Sequence, residues 1–529
     1  MINLKEHGLE LAILIAVLVA GWLLRVQNLE VYKMSPDDGS YLYSAGIARL
    51  DANADFSTAV SQDLEWWVPR YYPHSYLHQL AIRWSWRAGA NAIFSVRIDS
   101  VILGLLSSLA IFLFSKRVLS RRHPAALVAA GIVALQCLHV WYSRTGWGTT
   151  GCAAFFAVYL ALGYELVRRE RSLLADLGIA IAMGLASLLA YGWHEMIVVH
   201  VSGMGLFILL HHIWGGPGIE GSGVRSLLGT LRRSQKAWAA LLSALPILIL
   251  FTVLLTSDFA RQHWINFEDS TLKPTLMQIL KHLFTVDHIE QQIAWPVLIL
   301  AVIGYLKLRQ TDLLASRYLG VSFLTSCLIF LLFFKDANLV RIYLPTALIL
   351  AVLAGNGFAC LCVVFKERWR SALSLVSALL FMAWMGMVSY QTIHDWNDGD
   401  EFFFEPRFHF LEGYEHVDLR DVHESTFLQL DNLLKPGEMV GVEALRGNGG
   451  VYGEFSILFK LRDSGFNATP FVVPDNLSKA GVQWPRFLMG VKRGMEQRGH
   501  TTTSNGRYRE IGADRLGRVA LYELEPKAE

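Results

Sequence analysis

The chain has 529 residues, 53% of them hydrophobic and 17% charged, with a formal net charge of +2 and a mean hydropathy of +0.36. Soluble domains carry about 25% charged residues, so much of this chain is written for a solvent that rejects charge, most simply a lipid bilayer. The near-neutral balance gives no pull toward nucleic acid. The five cysteines, Cys137, Cys152, Cys327, Cys360 and Cys362, all lie in apolar runs; they fit no disulfide framework or metal motif and read as small core hydrophobes.

A bilayer span needs about 20 mainly apolar residues. Eleven stretches qualify: 8–25, 95–115, 124–141, 148–166, 173–192, 196–214, 237–256, 292–308, 318–334, 342–364 and 371–392. The first ends with too few small residues for a cleaved signal peptide and is expected to stay as an anchor. Lys and Arg alternate from side to side along the short connections, eighteen on one side and six on the other, which places the N-terminus in the cytoplasm. Three regions then face outward: loop 26–94, loop 257–291 and everything after about 393. The first loop holds "LEWWVPRYYPHSYLHQLAIRWSWRAG", a density of Trp, Tyr and Arg typical of helices in the headgroup layer. The tail carries the strand-like runs "MVGVEA", "TPFVVP", "RFLMGVK" and "RVALYEL" between Gly and Pro punctuation, and so predicts a small α/β domain.

Just after the first span comes "VYKMSPDDGSYLYSAG", with two adjacent carboxylates, Asp37 and Asp38. Ser35 suits an N-cap, Pro36 the first helical position, and Asp38 completes a capping box. That reading leaves Asp37 free to point elsewhere. At the bilayer boundary a carboxylate can take a proton from an acceptor hydroxyl, or hold a divalent cation if a second acid or a phosphate helps.

Several stretches, in order, resemble the GT-C superfamily of polytopic glycosyltransferases, nearest the protein O-mannosyltransferase and lipid A aminoarabinose transferase branch. They are "SPDDGSYLYSAGIARL", "YYPHSYLHQLAI", "SVRIDSVILGLLSSLAIFLF", "SRTGWGTTGCAAFFAVYLAL" and "NLVRIYLPTALILAVLAG". Asp38 stands where the branch usually has Glu, and the Trp-Trp-Asp-Tyr-Gly signature of oligosaccharyltransferases is missing. The resemblance implies a mainly α polytopic bundle, a GT-C-like catalytic domain over 1–392 and an extracytoplasmic α/β domain over 393–529. It implies transfer of a hexose or pentose from a polyprenyl-phosphate-linked sugar to a hydroxyl on a protein, glycolipid or glycan, at the outer face of a bacterial or archaeal plasma membrane. By the same resemblance Asp37 is the base, with Asp38 beside it, and arginines at outer helix ends hold the donor phosphate.

Negative charge builds on the leaving phosphate oxygen, so fixed cations there stabilise the transition state most. Arg341, Arg144, Lys335 and Arg97 are the candidates, each with interfacial snorkelling as its alternative. His194 and Glu195 in "YGWHEM", and His74, four residues before His78, are candidate substrate or metal contacts. The sequence specifies no cofactor, and a divalent cation stays open. The competing class is a transporter or flippase of a lipid-linked sugar, which would bury ionisable groups at mid-membrane depth.

Overall fold

The computed structural model describes residues 4–27, 29, 76–119, 124–146, 148–169, 171–194, 196–214, 235–256, 295–333, 343–365, 370–398, 426–444, 457, 461–462, 464–472, 484–491, 506–513 and 519–526. Thirteen α-helices precede the tail domain among these residues: α1 (Leu4–Val26), α2 (Tyr76–Arg87), α3 (Ala92–Val118), α4 (Ala125–Leu135), α5 (Cys137–Ser143), α6 (Thr149–Arg168), α7 (Leu173–Trp193), α8 (Ile197–Trp214), α9 (Gln235–Thr256), α10 (Trp295–Thr311), α11 (Leu313–Phe333), α12 (Leu344–Leu361) and α13 (Arg370–Asp398). Helix falls on every stretch that the apolar pattern marks out. Six of them, α1, α3, α6, α7, α12 with its following 3-10 turn, and α13, are long and apolar enough to cross a membrane alone; α4 and α5, bent by 48°, add a seventh if taken as one span. The chain is a multi-pass membrane protein.

Exposure says the same in another way. Leu9, Leu11, Ile15, Val19 and Leu23 on α1, and Leu174, Ile181 and Leu185 on α7, all face outward. A face this apolar is an aggregation liability in water and an ordinary one in lipid.

Local chemistry sets the helix starts. Asn91 Oδ1 accepts the Phe94 N–H at 2.7 Å at the start of α3, and Asp312 Oδ1 accepts the Ala315 N–H at 2.9 Å between α10 and α11, each satisfying a donor that a helix start leaves over. Pro345 opens α12, where its missing N–H costs nothing. Helix α12 is buried almost throughout and packs on α4 and α10. Its fit to α10 depends on glycine: a Cβ at Gly304 would lie 1.8 Å from Leu353 O, and one at Gly357 1.9 Å from Leu300 O. At this close approach Asn356 Nδ2 donates to Gly304 O at 2.7 Å, the small-residue and side-chain-amide packing that holds helices together in lipid.

The tail domain contains α14 (Leu428–Leu433) and five strands, β1 (Val440–Ala444), β2 (Ala468–Val472), β3 (Phe487–Val491), β4 (Gly506–Ala513) and β5 (Val519–Pro526). They form one sheet in the order β2-β1-β3-β5-β4. The first three are mutually parallel and the last two run antiparallel to their neighbours. Each predicted strand run lies in this sheet. Arg486 reaches Glu523 at 2.9 Å and Glu438 at 3.3 Å, and the hydrogen bonds it donates to these carboxylates raise its pKa above the ordinary value. None of the five cysteines is in a disulfide.

Candidate functional site

Buried charge gathers at one end of the bundle, where α1 and α5 finish, α3, α6 and α8 begin, and α2 packs on α3 and α7. Arg25, Arg97 and Arg144 lie there with no exposed surface at all, next to buried His78, Asp99 and His139. This removes the snorkelling alternative for Arg97 and Arg144: neither side chain reaches an interface.

Each guanidinium donates to main-chain carbonyls at a helix end. Arg144 Nη1 donates to Leu24 O at 2.7 Å and Arg25 O at 3.1 Å, in the last turn of α1. Arg97 Nη1 donates to Leu29 O at 2.5 Å, just beyond it. The end of α1 leaves carbonyls without intrahelical donors and carries partial negative charge, so these cations satisfy both demands.

Arg25 serves a different helix. Between α4 and α5, Gln136 is extended, with φ −70° and ψ 138°. A continuous helix would give the carbonyls of Val133, Ala134 and Leu135 the N–H groups of residues 137 to 139; the break takes those away. Arg25 Nη2 donates to Val133 O at 3.1 Å, Arg25 Nη1 to Ala134 O, and Ser389 Oγ of α13 to Leu135 O. All three stranded carbonyls are thus supplied from other helices.

His78 fixes α2. Its Nδ1 lies 2.5 Å from Asp99 Oδ2 and its Nε2 2.7 Å from Gly146 O, with the ring against Trp193. A carbonyl only accepts, so Nε2 carries a proton, and a second proton is shared between Nδ1 and Asp99. With both nitrogens engaged, His78 is not available to join His74 as a metal ligand. Among the described residues no group of three or more His, Cys, Asp and Glu is placed to hold a metal ion.

His194 caps the tight turn into α8, its Nδ1 accepting the Met196 N–H at 3.2 Å. Asp37, Asp38, His74, Glu195, Lys335 and Arg341 lie outside the described residues. The structure therefore brings Arg97 and Arg144 to one end of the bundle and adds three groups the sequence reading left out, Arg25, Asp99 and His139. Two of these had a signal: Arg25 is the one charge in the last turn of α1, and Asp99 the one acid early in α3. An ionisable residue inside an apolar run is a functional candidate by default.

No protein-family model matches the chain, and no curated protein matches it. Solved structures do. ArnT from Cupriavidus metallidurans bound to undecaprenyl phosphate superposes with a TM-score of 0.56 at 13% identity, over 98% of this chain and 99% of that one. The same protein in the apo state gives 0.55 at 13% identity, over 99% and 100%. An oligosaccharyltransferase from Archaeoglobus fulgidus in the apo form gives 0.49 at 12% identity, over 98% of this chain and 74% of that one. At these identities the likeness concerns the fold alone, and it extends from end to end: the helical bundle with a small tail sheet expected from the sequence is the one the chain adopts, and it is shared with ArnT.

Proposed function

We propose that the chain is a membrane glycosyltransferase that moves a sugar from a polyprenyl-phosphate donor to an acceptor hydroxyl at the α2 end of the bundle. One observation carries the reading. Three fully buried guanidiniums and a single described carboxylate, Asp99, crowd one end of a chain folded like a protein that was solved with undecaprenyl phosphate. Buried positive charge in such excess suits a lipid-linked anion.

The chemistry follows from charge and position. The acceptor oxygen attacks the anomeric carbon as the bond from that carbon to the phosphate oxygen breaks. The acceptor proton passes to the Asp37 carboxylate, and the polyprenyl phosphate leaves with the bonding pair. Arg341 and Lys335 meet the phosphate directly, while Arg97 and Arg144, tied to carbonyls near the end of α1, supply charge that costs no reorganisation. The α2 end faces outward, as the Lys and Arg bias requires, and the tail domain lies on that side.

A flippase would set ionisable groups at mid-span. Here Arg25, Arg97, Asp99, His139 and His200 all lie within about two turns of a helix end, by the helix pitch. Asp37→Asn tests the proposal: transfer from a polyprenyl-phosphate sugar should vanish while the thermal transition of the purified protein stays in place. Near-normal turnover would remove Asp37 as the base.

A further inference from the structure

The supply of the three stranded carbonyls at the α4–α5 break goes beyond what folding the span requires. An uninterrupted helix would satisfy the same groups locally. Instead the chain buries a guanidinium whose three hydrogen bonds all go to carbonyls, those of Gly21, Val133 and Ala134, at the desolvation cost that burying a charge carries. Two glycines make room for it. A Cβ at Gly21 would lie 2.9 Å from Ala134 O and 3.1 Å from Arg25 Nη1; one at Gly104 would lie 2.3 Å from Ser143 Oγ and 3.1 Å from Arg25 Nε.

The bend decides where Arg144 sits. Arg144 is the residue that ends α5, eight residues past Gln136. At 1.5 Å of rise per residue that arm is about 12 Å long, so straightening a 48° bend would carry Arg144 roughly 10 Å away. Only the bent form lets Arg144 Nη1 reach the carbonyls of Leu24 and Arg25. The two arginines thus act reciprocally: the Arg25 side chain holds the break in α4–α5, and the Arg25 carbonyl receives the side chain that the break delivers.

We infer that Arg25, with Ser389, is a positioning residue that holds the α4–α5 bend and so places Arg144 at the proposed lipid-phosphate site. The inference rests on the glycosyltransferase reading for its purpose, though not for its geometry, and the two can be tested apart.

In the full-length protein in lipid nanodiscs, spin labels at positions 106 on α3 and 141 on α5 report the bend. Arg25→Met should shift or broaden the distance distribution, and the milder Ser389→Ala should shift it less in the same direction. Distributions that superpose on the parent in both variants overturn the inference whatever the activity. A binding cycle with undecaprenyl phosphate as the probe then asks whether Arg25 acts through Arg144. Arg25→Met and Arg144→Ala should each raise Kd by about tenfold or more, the double variant should bind no more weakly than Arg144→Ala alone, and Arg25→Lys should recover part of the loss. Losses that multiply in the double variant would make Arg25 an independent contact and overturn the inference. Failure of the parent protein to bind the probe would count against the functional reading, and the distance measurement would then decide the positioning claim alone.

Discussion

At the end of the bundle far from α2, Lys116 pairs with Glu10 at 2.6 Å, and Arg117 and Arg171 share Glu165. Each of these three cations has a carboxylate, and Arg117 keeps 48% of its side chain exposed; Lys236, also at this end, is buried and donates to Arg169 O at 2.8 Å. At the α2 end Arg25, Arg97 and Arg144 are fully buried, while Arg83 and Arg87 on α2 are not; the bonds described for the three buried guanidiniums run to main-chain carbonyls, with Asp99 the one described acid among them. The first arrangement is what a membrane protein does with positive charge at an interface: pair it and leave it wet. The second is costly in a low-dielectric interior unless an anion is to be met there. In the proposed reading, the paired and exposed charge mainly orients the chain, and the guanidiniums buried against carbonyls at the α2 end serve the lipid-linked anion.

Breaking the buried pair at the α2 end should produce the largest effect. Asp99→Ala strands the proton on His78 in a dry site, and loss of one partner from such a pair costs about 3–5 kcal/mol; thermal or denaturant unfolding of the purified protein should show a corresponding fall. A transition unchanged in that variant would mean that α2 is held by other contacts. Arg341→Ala should weaken donor use by about 2–5 kcal/mol with acceptor KM level, and Arg341→Lys should restore only part, because a point charge cannot copy a guanidinium fork. Steady-state kinetics with donor varied at saturating acceptor would show it, and an unaltered donor dependence would pass the role to Lys335 or Arg144.

Away from both charged ends, Asn356→Leu removes the amide that bonds Gly304 O at 2.7 Å and presses a larger group into a glycine crossing. A loss of about 1–3 kcal/mol should follow, with KM values intact. Smallest of all, Arg117→Ala should cost about 0.2–1 kcal/mol and leave transfer untouched. A large catalytic defect there would erase the contrast between the two ends.

Apolar patterning carried most of the fold, because a span announces itself by length and composition alone. Each stretch from 8–25 to 371–392 carries helix among its described residues, and each strand-like run of the tail contributes a strand to the sheet. The break at Gln136 left no such mark. "GIVALQCLHVWYS" contains neither Pro nor Gly at the bend, since the break is held by Arg25 and Ser389, 111 residues before it and 253 after it in the chain. Arg144 and Arg97 were legible as cations at helix ends. Their complete burial was not, because that depends on which helix ends meet. His78 looked like one of a histidine pair four residues apart. Its actual partners, Asp99 and Gly146, come from helix and turn segments that only the packing brings to it.

Photolabelling tests the central claim without altering any residue. A polyprenyl phosphate carrying a photoreactive group beside its phosphate would be reconstituted with the full-length protein in nanodiscs, and the labelled peptides mapped by mass spectrometry. The account predicts labelling around residues 24–38, 91–99 and 141–149, competed away by unmodified undecaprenyl phosphate. Specific labelling confined to the segments around Lys116, Arg117 and Glu165, at the opposite end, would contradict it.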